Sequence, residues 1–109
     1  MAYDAVLGER IRIILSRRRA ITERKMFGGL AFMLHGNMFV GVLEKSLMAR
    51  VGPKYYEAAL KKPHVRPMDF TGKPLRGYVY VSPGGIKTDR ALRTWVERCL
   101  DHARSLPPK

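Results

Sequence analysis

Between Arg10 and Lys25 the sequence gathers seven of its 21 lysines and arginines: Arg10, Arg12, Arg17, Arg18, Arg19, Arg24 and Lys25. Guanidinium groups grip phosphate oxygens in pairs, and a row of them displaces counterions from a polyanion. The segment is therefore the first candidate for contact with nucleic acid. The next stretch, MFGGLAFMLHGNMFVGVLE from Met26 to Glu44, raises a second possibility. Glycine loops cradle phosphates when they join a strand to a helix N-terminus, with a lysine and a hydroxyl following in the nucleotide-triphosphate version. Here Gly28 and Gly29 stand between bulky apolar residues and lack that spacing. They read as backbone devices that permit a bulge, a bend or a close approach.

Other reactive residue types are sparse. Cys99 is the only cysteine, so no internal disulfide and no cysteine-based metal framework is available, and a reducing cytoplasm is the expected setting. It lies on the stripe Trp95, Val96, Cys99, Leu100 and reads as a small core residue rather than a nucleophile. His35, His64 and His102 fall in a turn, beside prolines and near the end of the last helix, with no ligand spacing among them, so neither a metal site nor a catalytic triad is expected. Asp69, flanked by Arg66 and Arg76, offers a general base or an ion pair, and the ion pair is the simpler reading. Tyr55, Tyr56, Tyr78 and Tyr80 stand near basic residues and offer base stacking. Tyr78 and Tyr80 share one strand face, which covering helices would instead bury.

The elements that must position these groups follow from periodicity. Over residues 3–18, Tyr3, Val6, Leu7, Ile11, Ile14 and Leu15 recur at three and four, which predicts a helix. Its last turn would then hold the arginine run, matched to the negative end of the helix dipole. Three antiparallel strands are expected at about residues 26–34, 38–43 and 47–51, the first two joined by a tight hairpin at His35-Gly36-Asn37. Gly52-Pro53 opens a short helix over YYEAALKK that Pro63 stops. Residues 63–76 hold three prolines, and residues 61–76 five cations, which predicts an irregular or edge segment over 63–76 around a short strand at MDF. RGYVYVS supplies a last strand. Thr88 caps a final helix in which Leu92, Trp95, Val96, Cys99, Leu100, Ala103 and Leu106 repeat at three and four. The order α-β-β-β-α-β-β-α predicts a two-layer α+β domain over residues 1–109, with helices on one face of an antiparallel sheet of about five strands.

Composition sets the outer bounds. With 46% hydrophobic and 28% charged residues the chain matches a globular domain rather than a disordered or membrane protein. Its net charge of +12 favours a polyanionic partner. MAYD reaches Asp4 and Glu9 before its first arginine, unlike a signal peptide, and no apolar run is long enough to span a membrane.

MFGGLAFMLHGNMFVGV, LMARVGPKYYEAAL and RPMDFTGKPLRGYVYV together resemble the amino-terminal domain of the TfoX/Sxy family, named for regulators of competence for DNA uptake in bacteria. The resemblance covers nearly the whole chain and suits a short, single-domain member. Its most specific part is the motif of Met26, Phe27, Gly28 and Gly29 with the later Gly36, Asn37, Met38 and Phe39, a structural signature. The resemblance implies an α+β fold related to the secretion-chaperone-like group and no established catalysis or cofactor. Three function classes follow. The first is a regulatory domain that binds nucleic acid or the transcription machinery through its basic helix. The second is a protein-interaction module or homodimeric adaptor. The third is an RNA-modifying enzyme, which should show a glycine-rich cofactor loop followed by an acidic ribose ligand; the sequence has none.

Overall fold

In the first helix, α1 (Ala5–Ile14), the Asp4 carboxylate caps the start by accepting from the Val6 and Leu7 N–H groups at 2.9 and 3.3 Å. This satisfies two donors that the helix itself leaves orphaned. The helix is shorter than its apolar spacing predicts. The Ser16 and Arg18 N–H groups turn back to the Ile13 and Leu15 carbonyls, and Ala20 then takes φ +66°. The tightened turns end the helix before Arg17, Arg18 and Arg19. Leu15 is still buried with the core, so the apolar period outlasts the helix by one residue.

The computed structural model describes residues 3–26, 28–69 and 72–109. After α1 come β1 (Ile21–Met26), β2 (Gly29–Leu34), β3 (Asn37–Leu43), β4 (Ser46–Arg50), α2 (Tyr56–Leu60), β5 (Val65–Pro67), β6 (Tyr78–Val81), a 3₁₀ turn (Pro83–Gly85) and α3 (Asp89–Arg104). The strands form one antiparallel sheet in the order β1-β2-β3-β4-β6-β5. The fold is α+β, as the sequence predicts, with six strands among the described residues where about five are expected. The extra strand is β1. The expected strand over residues 26–34 is interrupted at Gly28, which has φ +75°, and ITERKM pairs back along β2. The short strand expected at MDF lies three residues earlier, at Val65–Pro67; Phe70 falls outside the described residues, as does Phe27 of the motif.

His35 and Gly36, with φ +51° and +84°, make the tight turn between β2 and β3, where two left-handed residues match the strand twist. The register shifts at Phe32/Met33, and Phe39 is fully buried beside the irregularity. The C-terminal residues close over this hairpin. Asn37 Nδ2 donates to the Pro107 carbonyl at 2.9 Å, and the Lys109 N–H donates to the His35 carbonyl at 2.8 Å.

Directly opposed residues in an antiparallel pair share a face. Leu30, Phe32, Val40, Val42, Leu47, Ala49, Val79 and Val81 therefore point to one side. There they join Leu7 and Ile11 of α1, Tyr56 and Ala59 of α2, and Leu92, Trp95, Val96, Cys99 and Leu100 of α3 in one core. Burying an aliphatic side chain of this kind contributes about 1.5–3 kcal/mol, so this layer dominates stability. The opposite face carries Met48, Tyr78 and Tyr80, and Met68 folds against Met48 and Tyr80. At the two ends of the sheet lie β1, whose four central residues Thr22, Glu23, Arg24 and Lys25 are exposed, and β5, three residues long and ending in Pro67.

Candidate nucleic-acid interface

The seven cations between Arg10 and Lys25 do not form one continuous patch. Arg10 reaches across to the loop before α3, where its guanidinium donates to the Ile86 carbonyl at 2.9 Å and pairs with Asp89 at 3.3 Å. Arg12 is held between Glu9 and Glu23. The hydrogen bond from Arg12 lowers the Glu23 pKa, outweighing the opposing effect of partial burial, and Glu23 in turn raises that of Arg12. Arg18 donates to both carboxylate oxygens of Glu97 on α3, at 2.8 and 2.6 Å. These three side chains tie α1 and its following turn to β1 and α3. Their charge is already matched.

Arg17, Arg19, Arg24 and Lys25 are exposed and make no ion pair among the described residues. Strand alternation separates the last two. Arg24 stands opposite Ala31, on the face away from the helices, whereas Lys25 stands opposite Leu30, whose side chain enters the helix-side core. Because α1 stops at Ile14, Arg10 and Arg17 do not lie along one helical side as a continuous helix would place them.

The structure adds a cation that the linear reading passes over. A groove of about 390 Å³ is lined by Ile13, Ile14, Ser16, Arg17, Arg18 and Arg93. Arg93 comes from the exposed side of α3, and it is also without an ion pair among the described residues. The signal in the sequence is the run of polar positions Arg90, Arg93 and Thr94 between the apolar repeats, but only the packing of α1 on α3 brings it beside Arg17. Among the described residues, six of the nine carboxylate side chains are in ion pairs, and these occupy only five of the 21 lysines and arginines.

The sheet tyrosines are not covered by helices, yet they are not open platforms. Arg66 stacks over Tyr80, 4.5 Å from the ring centroid, and Arg50 lies 5.3 Å from that of Tyr78. Tyr80 is also buried under Met68, and that burial raises its pKa. Tyr56 belongs to the helix-side core, and Tyr55 lies beneath Arg98 at 3.6 Å. A second set of cations, unremarked in the sequence, surrounds that last pair. Lys62, Arg90 and Arg98 line a cavity between α2 and α3 together with Tyr55, Thr88, Ala91, Thr94 and Trp95.

The residues suggested for other chemistry stay apart. Cys99 is fully buried, and desolvation pushes its thiol up to about 12. His102 packs beside Gly52, while His64 lies against Gly84 and Gly85, and His35 sits in the hairpin turn. Among the described residues no three His, Cys, Asp or Glu side chains gather as a metal site would require. Asp69 is exposed and makes no ion pair among the described residues, although Arg66 and Arg76 stand close to it in sequence. No helix of the described residues is long and apolar enough to cross a membrane.

A family model described as the TfoX N-terminal domain matches residues 14–103, most of the chain. The match takes in every strand and all of α2, and it begins at the last residue of α1. No curated protein matches the sequence.

Proposed function

Because the chain belongs to the TfoX N-terminal domain family, we propose that it is a non-catalytic, competence-regulator-like domain of the cytoplasm that binds nucleic acid through the groove between α1 and α3. The observation that carries this reading is the pairing of Arg17 with Arg93 across that groove, with no carboxylate partner for either among the described residues. Arg19 extends the cation row along the chain. Arg18 is held by Glu97 and serves to fix the turn, not to meet the ligand. A groove lined by cations and two isoleucines contacts a phosphate backbone without reading base edges, so affinity with little sequence preference is expected.

The test is a salt series of binding to duplex DNA, single-stranded DNA and RNA. Engaging about four phosphates on a duplex gives a log-affinity slope near −4 against log salt. Arg17→Gln with Arg93→Gln should flatten that slope by about 2 and weaken all sequences alike. Arg18→Gln should act mainly on stability. A folded preparation that binds none of the three at low salt removes the proposal.

One observation favours the interaction-module reading as the second choice. Val6 and Ile13, seven residues apart on one side of α1, are 70% and 61% exposed. A strip of this kind fits a second copy of the chain packed helix to helix. Solution mass measured beside the salt series, with Val6→Lys as the disrupting variant, decides between the two.

A further inference from the structure

The cavity between α2 and α3 lies outside the groove just described and has a different chemical character. It measures about 320 Å³, at the small end of the roughly 300–1,000 Å³ typical of ligand pockets. Trp95 and Ala91, one helical turn apart on α3, present an apolar surface to it. Tyr55 and Lys62 come from the α2 region, and Arg90, Thr94 and Arg98 stand along α3 at successive intervals of four. None of its lining residues is acidic, and none of its three cations makes an ion pair among the described residues.

Three like charges around one small concavity repel one another unless an anion enters. The Arg98 guanidinium carbon lies over the Tyr55 ring, 3.6 Å from its centroid, which holds the group in place, and no carboxylate pairs with it among the described residues. Such a guanidinium is preorganised for a bidentate oxyanion. A phosphomonoester carries about −1.5 to −2 charge near neutral pH and answers three cations better than a single carboxylate does. The Trp95 and Ala91 surface then calls for something flat and apolar attached to that phosphate. We infer that this cavity binds one nucleotide unit, with its base against Trp95 and Ala91 and its phosphate held by Lys62, Arg90 and Arg98.

The site takes either a free nucleoside monophosphate or the phosphorylated end of a strand, since both present the same chemistry. A phosphotyrosine side chain also joins a ring to a phosphate, but the net charge of +12 across the surface favours a ligand drawn from nucleic acid. The cavity shares no lining residue with the Arg17 and Arg93 groove. Each can fail without the other.

Trp95 is the only tryptophan, so its emission reports directly on this cavity. Titration with adenosine monophosphate, excited at the red edge of tryptophan absorption, should quench it saturably, while adenosine alone and inorganic phosphate alone bind about tenfold or more weakly. Lys62→Gln should weaken adenosine monophosphate by about tenfold with unchanged thermal stability; Arg98→Gln, which also gives up the contact with Tyr55, should weaken it by a similar factor in a folded protein. Ala91→Leu fills the base position and should abolish quenching in a folded protein. None of these variants should alter the salt slope for duplex DNA, which belongs to Arg17 and Arg93. A 5′-phosphorylated single strand that binds more tightly than the mononucleotide places the unit at a strand end; weaker binding points to the free nucleotide, and either result supports the site. No saturable response from folded protein, tighter binding of phosphotyrosine, or quenching that survives Ala91→Leu would overturn it.

Discussion

Gly29 lies so close to the backbone of β3 that a β-carbon built on it would stand 2.2 Å from the Val42 carbonyl oxygen. Backbone on both sides cannot move aside as a flexible side chain can. Gly29→Ala is therefore expected to cost about 3 kcal/mol, the upper range for overpacking a filled site. Gly28 has a different requirement, an exposed turn position with φ +75°. Gly28→Ala should cost about 1–2 kcal/mol, the strain of placing an L side chain in the left-handed region. Urea denaturation of the two variants tests the order; a milder effect at Gly29 would show that β2 and β3 can separate there.

Arg10 and Arg17 have the same side chain in different employment. Arg10 is only 27% exposed and spans from α1 to the entrance of α3. Arg10→Gln should lower stability by about 1–3 kcal/mol, the range for a charged hydrogen bond lost from a part-buried site. Arg17→Gln should stay within about 0.5 kcal/mol, as exposed substitutions usually do. Denaturant midpoints check stability, and nucleic-acid affinity should show the reverse ranking.

His102 gives the fold a pH dependence whose sign follows from its surroundings. Burial, and secondarily the charge of Arg50, lower its pKa below 6.5 in the folded protein. The unfolded chain therefore takes up a proton first as pH falls through about 6.5, and stability present above that pH is lost below it, down to the folded value. Melting temperature should drop on acidification across this window. His102→Gln, which cannot gain the proton, should flatten the drop. A slope unchanged by that substitution would assign the effect elsewhere.

Cys99 should be silent toward thiol reagents in the native state. A thiol raised to about 12 and sealed in the core presents almost no thiolate at pH 8. Iodoacetamide labelling, followed by intact mass, is expected only after denaturant opens the core. Rapid native labelling would mean that α3 leaves the sheet far more readily than its packing implies.

The parts of this fold that were legible in the sequence are those whose pattern is local. Thr88 followed by the apolar repeat from Leu92 to Ala103 gives α3 directly, because both the cap and the buried stripe lie within one helix. His35-Gly36 gives the hairpin for the same reason. β1 was hidden because ITERKM has four exposed residues in succession and owes its extended form to pairing with β2, not to alternation of its own. The candidate site divides in the same way. That Arg12 and Arg18 are basic is plain, but Glu23 and Glu97, 11 and 79 residues away, neutralise them only after folding. The cavity around Trp95 joins Lys62 to Arg90 and Arg98 across the chain, and no spacing announces it.

A sheet that ends in an unpaired strand offers its free N–H and carbonyl groups to any other extended chain, and uncontrolled strand addition leads to fibres. β1 and β5 each blunt that hazard. On β1, Arg24 and Lys25 would meet their own counterparts, or a neighbour's cations, at close range in a sheet extended between copies. On β5, three residues give little length to pair, and Pro67 has no N–H to donate. Copies of this chain should therefore remain dispersed at concentrations where their cores are intact. Any pairing between them must be built from side chains on the helices, not from a sheet running through both.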